Sequence, residues 1–208
     1  MTSPPDLYYE KKLWRAFAFV AGLDEAGRGA LAGPVCVGAV ILPPQPSRLL
    51  RILDGARDSK QLTSQGRERL APRIRAAALA WGVGFSSAEE IDEYGIVSAA
   101  RLAASRALEA LRQFPDFLLT DFRLELPELD VAQMALVKGD QRSMSVAAAS
   151  ILAKTARDSW MTDLDIKYPQ YGFARHKGYG SPAHRRAIAA LGPSPEHRKT
   201  FRGNKKAE

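Results

Sequence analysis

Four carboxylates stand where apolar strands should end. Asp24 and Glu25 close the run at 17–24 (FAFVAGLD) and lead into Ala26-Gly27-Arg28-Gly29. Asp121 ends the run at 117–121 (FLLTD), and Asp140 follows Lys138-Gly139 after a third apolar run at 131–137. In α/β sheets, ligands collect at strand ends, and carboxylates gathered there cannot all stay ionised unless cations neutralise them. Hard oxygen donors with no His or Cys beside them favour Mg²⁺ or Mn²⁺. The chemistry that suits such a set is phosphodiester hydrolysis with two ions, one activating a water and the other stabilising the leaving oxygen. Plainer readings stay open at this point: a lone strand-end Asp is a turn former or helix cap, and Asp140 precedes a helix that it could cap. Asp24-Glu25 is harder to assign to packing, because an apolar strand that runs into two acids and a glycine-framed arginine serves no obvious core. Gly27-Arg28-Gly29 is too short for a phosphate-loop fingerprint, yet its glycines would let backbone approach a sugar closely or simply form a tight turn.

The charge pattern points to the partner of such chemistry. The chain has 208 residues with 30 Lys plus Arg against 23 Asp plus Glu, a net charge of +7. Residues 167–208 hold ten basic and two acidic residues, so the rest of the chain is close to neutral. Tyr168, Tyr171, Phe173, Tyr179 and Phe201 are interleaved with that charge. A basic, aromatic-containing segment suits a nucleic acid, since cations neutralise phosphates while rings stack on sugars or bases. The competing reading is a solubilising tail, against which the glycine and aromatic spacing at 168–181 argues. Arg198 and Lys199 are the expected phosphate contacts. With 46% apolar and 25% charged residues the composition is that of a soluble globular protein. One cysteine and three histidines supply neither a disulfide nor a conventional zinc site, and His176, His184 and His197 read as surface or phosphate-contacting residues. The start lacks a signal-peptide pattern and no apolar run approaches a membrane span, so a cytoplasmic protein with no membrane partner is expected, and a monomer is the default with no sequence signal behind it.

The elements that must position these residues follow from periodicity. Strands are expected at 17–24, 34–42, 81–87, 117–121 and 131–137, the first two joined by the Gly-rich turn. Helices are expected from a cap at Thr63 or Ser64 to about 79, at 88–94 and 96–114, from 143 to about 166, and at 182–191, after which the chain is basic and poorly periodic. Lys154 and Asp158, four apart on the long helix, read as a surface ion pair. Strands first, then alternation, predict an α/β fold: a mixed five-stranded sheet flanked by helices, with a C-terminal helical basic extension.

Several longer motifs narrow this further. AGLDEAGRGALAGPVCVGAVIL at 21–42, DSKQLT at 58–63, VKGDQRSMSVAAASILAKTARD at 137–158, YPQYGFARHKGYGSPAH at 168–184 and HRKTF at 197–201 closely resemble bacterial ribonuclease HII, the type 2 ribonuclease H. The resemblance implies a ribonuclease H-like catalytic domain at 16–166 and a substrate-binding extension at 167–208. It also implies Mg²⁺ or Mn²⁺ dependence, with two ions per site. The implied activity is endonucleolytic cutting of RNA in RNA–DNA hybrids, and of duplex DNA on the 5′ side of a single embedded ribonucleotide. It implies further that Asp24, Glu25, Asp121 and Asp140 hold the metals and that Gly27, Arg28 and Gly29 read the ribose 2′-hydroxyl. Tyr179 would pack on the sugar at the RNA-to-DNA junction, and Lys60 would lie near the scissile phosphate. One departure stands out: Phe122 follows Asp121 where the family usually has glycine, so a left-handed backbone there would be costly and the loop is expected to run differently. Two rival classes remain, a catalytically silent hybrid-binding protein and a DNA-directed nuclease of the same fold.

Overall fold

A computed structural model describes residues 4–56 and 62–201. Its strands β1 (Val20–Ala26), β2 (Val35–Ile41), β3 (Ala80–Ser86), β4 (Phe117–Asp121) and β5 (Ala132–Leu136) form a sheet in the order β3-β2-β1-β4-β5. The first three pair antiparallel, and β4 and β5 add in parallel beside β1, which is the expected mixed five-stranded arrangement. Alternation along the central strands sorts their side chains between two helical layers. Ala21, Leu23, Val35, Val37, Ala39 and Ile41 pack with the alanines of α4 (Ala88–Glu109). Gly22, Asp24 and Gly38 face the other way, toward α5 (Met144–Lys167). A Cβ on Gly22 would lie 2.2 Å from the Ser145 carbonyl carbon, and one on Gly38 would lie 2.4 Å from the Ala149 oxygen. The helix therefore rests directly on sheet backbone and reaches the strand that carries the acids.

Boundaries differ from the sequence reading where tertiary pairing extends or trims an element. β1 begins three residues late, because Asp116 accepts the Ala18 and Phe19 N–H groups instead, and it runs on to Ala26 because β2 pairs with it that far. Asp24 and Glu25 consequently lie within the strand. The helices expected at 88–94 and 96–114 are one element, α4, broken by Gly95 at φ +76° and ended at Glu109. A capping box between Ser87 and Glu90 starts it. Thr63 caps α3 (Ser64–Ala77) by accepting the Gly66 N–H. Two short helices were absent from the reading: α1 (Tyr8–Leu13) and α2 (Pro46–Ile52), the latter opened by its proline. From α1, buried Glu10 accepts hydrogen bonds from the Ser143 hydroxyl and from the N–H and hydroxyl of Ser145 at the start of α5.

After α5 come a 3-10 turn at Pro169–Tyr171, α6 (Phe173–His176) and α7 (Pro182–Leu191). Tyr171 and Phe173 bury themselves against Met161 and Leu164 of α5 and Ala32 of the loop between β1 and β2. Beyond Leu191 the chain departs from the poorly periodic basic tail that was expected. It doubles back to pair Ala32 with His197, Gly33 N–H donates to Glu196 O, and Arg198 N–H donates to Leu31 O. Among the described residues no helix is long and apolar enough to cross a membrane.

Candidate active site

The acids meet because β1 and β4 are parallel neighbours. Leu23 lies opposite Thr120, so one step further Asp24 and Asp121 emerge side by side on the face toward α5. The next parallel strand, β5, ends at Leu136; the chain then passes through Lys138 in the left-handed region to a 3-10 turn at Gly139–Gln141. Gly139 N–H donates to the Asp121 carboxylate at 2.9 Å, which docks that turn on the β4 end and brings in buried Asp140. Ser143, and not Asp140, caps α5 by accepting the Val146 N–H. Asp140 is thereby left to face Asp24.

Asp24 is the electrostatic centre. Burial pushes its carboxyl well above the usual range, against a hydrogen bond from Ser150; Glu25, Asp121 and Asp140 push it up further. A buried acid pushed up by three neighbouring acids forms with them a set that cations would relieve. Glu25 points one oxygen at Arg28, 3.1 Å from Nη1, while its Oε2 is buried without a partner among the described residues. That orphaned oxygen and the all-carboxylate donor set fit a hard divalent ion. Among the described residues no three such donors are yet drawn together as a ready cage. Phe122 needs no left-handed backbone; its N–H donates to Leu136 O and its ring is exposed, so the turn after Asp121 runs without the strain that a missing glycine suggested.

Beside the acids lie two loops that hydrogen bonds tie together. Leu31 N–H donates to Gly178 O at 2.8 Å, joining the segment after Gly27-Arg28-Gly29 to the one carrying Tyr179. Arg157 of α5 is fully buried beneath both, donating to Ala32 O, Pro34 O and Lys177 O. Gly27 sits at φ +90°, and a Cβ there would fall 1.9 Å from Arg157 Nε. Gly29 is exposed, with no atom within 4 Å of where a Cβ would be. The half-exposed Tyr179 ring has Lys154 Nζ at 5.5 Å and Arg157 Cζ at 5.4 Å.

Some expected roles change. Arg198 is fully buried and spends its guanidinium on the carbonyls of Gly27, Arg28 and Gly33, so it does not meet substrate phosphate; Lys199 beside it is exposed. His184 and His197 are also fully buried, in place of the surface positions expected. Ser194 N–H donates to His197 Nδ1, so His197 carries its proton on Nε2 and donates it to His184 Nε2 at 3.0 Å; His184 Nδ1–H then donates to the Tyr179 carbonyl. Burial holds both imidazoles down, to about 4. Lys154 and Asp158 form more than a surface pair: the carboxylate is mostly buried, 2.6 Å from Lys154 Nζ and 3.0 Å from Arg67 Nη2. Lys60 lies outside the described residues. The sequence reading missed Ser150, Arg157 and the two-histidine relay. A polar residue recurring in an alanine helix was the signal for Ser150, whereas the others needed contacts distant in sequence.

Comparison with known proteins places this geometry. The family described as ribonuclease HII matches residues 21–204. The chain is 52% identical to ribonuclease HII of Syntrophotalea carbinolica, over 95% of this chain and 92% of that one. It is also 52% identical to the enzyme of the same name from Chloroflexus aurantiacus, over 95% and 93%. Among solved structures, ribonuclease H2 of Pyrococcus horikoshii superposes with a TM-score of 0.75 at 28% identity, covering 89% of this chain and 95% of that one.

Proposed function

Since the chain belongs to the ribonuclease HII family, and so to the endonuclease hydrolases that act on RNA–DNA hybrids, we propose that it also incises duplex DNA 5′ to a single embedded ribonucleotide, leaving 5′-phosphate and 3′-hydroxyl ends. The observation that carries the hydrolytic part is buried Asp24, pushed up by burial and by three surrounding acids. Asp24, Glu25, Asp121 and Asp140 would hold two divalent ions, Mg²⁺ or Mn²⁺. Such ions, when bound, supply an activated water and stabilise the leaving oxygen.

The chain's own groups do the rest. Ser150 orients the Asp24 carboxylate, Glu25 N–H donates to Asp24 Oδ1 at 2.8 Å, and the Gly139 N–H orients Asp121. Presetting these oxygens avoids reorganisation when charge develops on the phosphate. Gly27, Arg28 and Gly29 form the surface that reads the ribose, with Gly29 leaving room for close approach. Tyr179 offers its exposed ring to the sugar at the junction. Lys60 and Lys199 contact phosphates, and the other exposed cations among the described residues of the 167–208 extension, Lys167, Arg175, Arg185 and Arg186, add electrostatic affinity. The enzyme works as a monomer in the cytoplasm.

The test is a labelled duplex with one ribonucleotide, incubated with Mg²⁺, with Mn²⁺ or with chelator, beside an all-DNA duplex. One metal-dependent nick on the 5′ side of the ribonucleotide is expected. Binding without cleavage would favour a silent hybrid binder, and cutting of the all-DNA duplex a DNA-directed nuclease; either result overturns the proposal.

A further inference from the structure

Arg198 is the feature that the catalytic reading leaves unused. Its Nε and Nη2 donate to Gly33 O at 3.0 and 2.9 Å, its Nη1 to Arg28 O at 2.9 Å, and Nη2 also to Gly27 O at 2.8 Å. Across a trans peptide, the C=O of one residue and the N–H of the next point in opposite directions. Drawing the Gly27 and Arg28 carbonyls inward onto Arg198 therefore turns the Arg28 and Gly29 N–H groups outward. Among the described residues neither of these N–H groups has an acceptor, whereas the next three amides, of Ala30, Leu31 and Ala32, are bonded to Gly27 O and Gly178 O. Two successive outward amides at an exposed turn, backed by buried positive charge, form a concavity for a substrate oxygen. Burial, and secondarily Arg157, pull the Arg198 guanidinium down to about 9, so the fold keeps this cation in an unfavourable place.

We propose that Arg198 is a positioning residue that fixes the Arg28 and Gly29 amides as paired donors to the ribose 2′-oxygen, and that it thereby sets selectivity for ribonucleotides and not affinity for phosphate. The inference rests on the reading that residues 27–29 face the ribose. Arg198→Lys keeps a cation in the same place but cannot span three carbonyls. In an Asp24→Asn background, fluorescence anisotropy would compare the affinity for a duplex holding one ribonucleotide with that for the all-DNA duplex. The ratio should fall about tenfold, roughly 1.4 kcal/mol, while all-DNA affinity and its salt dependence stay unchanged. In the otherwise wild-type enzyme, KM should rise more than kcat falls. Lys199→Ala should instead weaken both duplexes alike. A folded Arg198→Lys protein that keeps the full ratio overturns the proposal.

Because that variant could fail to fold, a second measurement uses the wild-type chain. The Arg28 and Gly29 amide resonances should shift on adding the ribonucleotide duplex and stay in place with the all-DNA duplex. Equal responses overturn the role given to Arg198. A wild-type protein with no preference for the ribonucleotide duplex overturns the ribose reading itself, and that failure shows before any substitution is made.

Discussion

Gly27 and Gly29 lie two residues apart in one turn, yet alanine should strongly destabilise the protein at the first and leave its stability nearly unchanged at the second. At Gly27 the backbone is at φ +90°, where a side chain costs about 1–2 kcal/mol. The new methyl would also sit 1.9 Å from Arg157 Nε, inside a guanidinium that holds three carbonyls. Losing even one hydrogen bond to such a charged group costs about 1.5–3 kcal/mol. Together these give about 2.5–5 kcal/mol, and for a chain of this size each kcal/mol moves Tm by about 2–4 °C. Gly27→Ala should therefore melt roughly 5–20 °C below wild type. Gly29 has open space around it and no positive φ, so Gly29→Ala should stay within about 0.5 kcal/mol of wild type. Its methyl would occupy the space offered to the sugar, so incision at a single ribonucleotide should drop at least about tenfold, the cost of displacing a closely fitted group by ~1.4 kcal/mol. Thermal unfolding by circular dichroism and initial incision rates measure both effects. A Gly27→Ala protein that melts with wild type would show that Arg157 yields freely, and a Gly29→Ala protein with full activity would show that the sugar does not approach this turn.

Asp24→Asn should abolish turnover while leaving duplex binding intact. In metal-free protein it should also raise stability at neutral pH, because wild type, with its carboxyl held above 3.8, loses stability as pH rises through the raised value; an unchanged metal-free Tm contradicts this. His184 and His197 titrate in the folded protein at about 4 against 6.5 when free. The unfolded chain thus takes up protons first, and stability should fall as pH drops from about 6.5 toward 4; a double His184→Gln, His197→Gln variant with an equally steep pH–Tm profile over that range would refute this assignment. Tyr179→Ala should weaken cutting at a lone ribonucleotide more than cutting of a long hybrid, since only the former depends on a single junction; equal loss on both would remove the junction role. Lys199→Ala should lower the slope of log affinity against log salt by about 0.9 for one lost phosphate contact, and an unchanged slope would exclude that contact.

Much of this protein is legible in its order of residues. Short apolar, β-prone runs around 20–26, 35–41 and 117–121 specify strands locally, and Thr63 announces a helix through capping chemistry that involves only near neighbours. The carboxylates Asp24, Glu25, Asp121 and Asp140 were visible because each is a charged residue where an apolar run stops, an expensive placement without a purpose. The β1 boundary and the fate of Arg198 were not visible. Strand pairing with β2, nine or more residues away, carried β1 past the two acids. A basic residue in a basic tail reads as a phosphate contact until the chain folds back and finds three carbonyls 165 or more residues earlier. The same holds for His184 and His197, whose neutral relay exists only because the segment after α7 meets the Tyr179 loop. Residue types and local spacing thus determined which groups could do the chemistry, since propensity, capping and charge act over a few residues. The tertiary structure alone decided which of them face the substrate and which hold the others in place, because burial and long-range hydrogen bonds depend on contacts that no local pattern encodes.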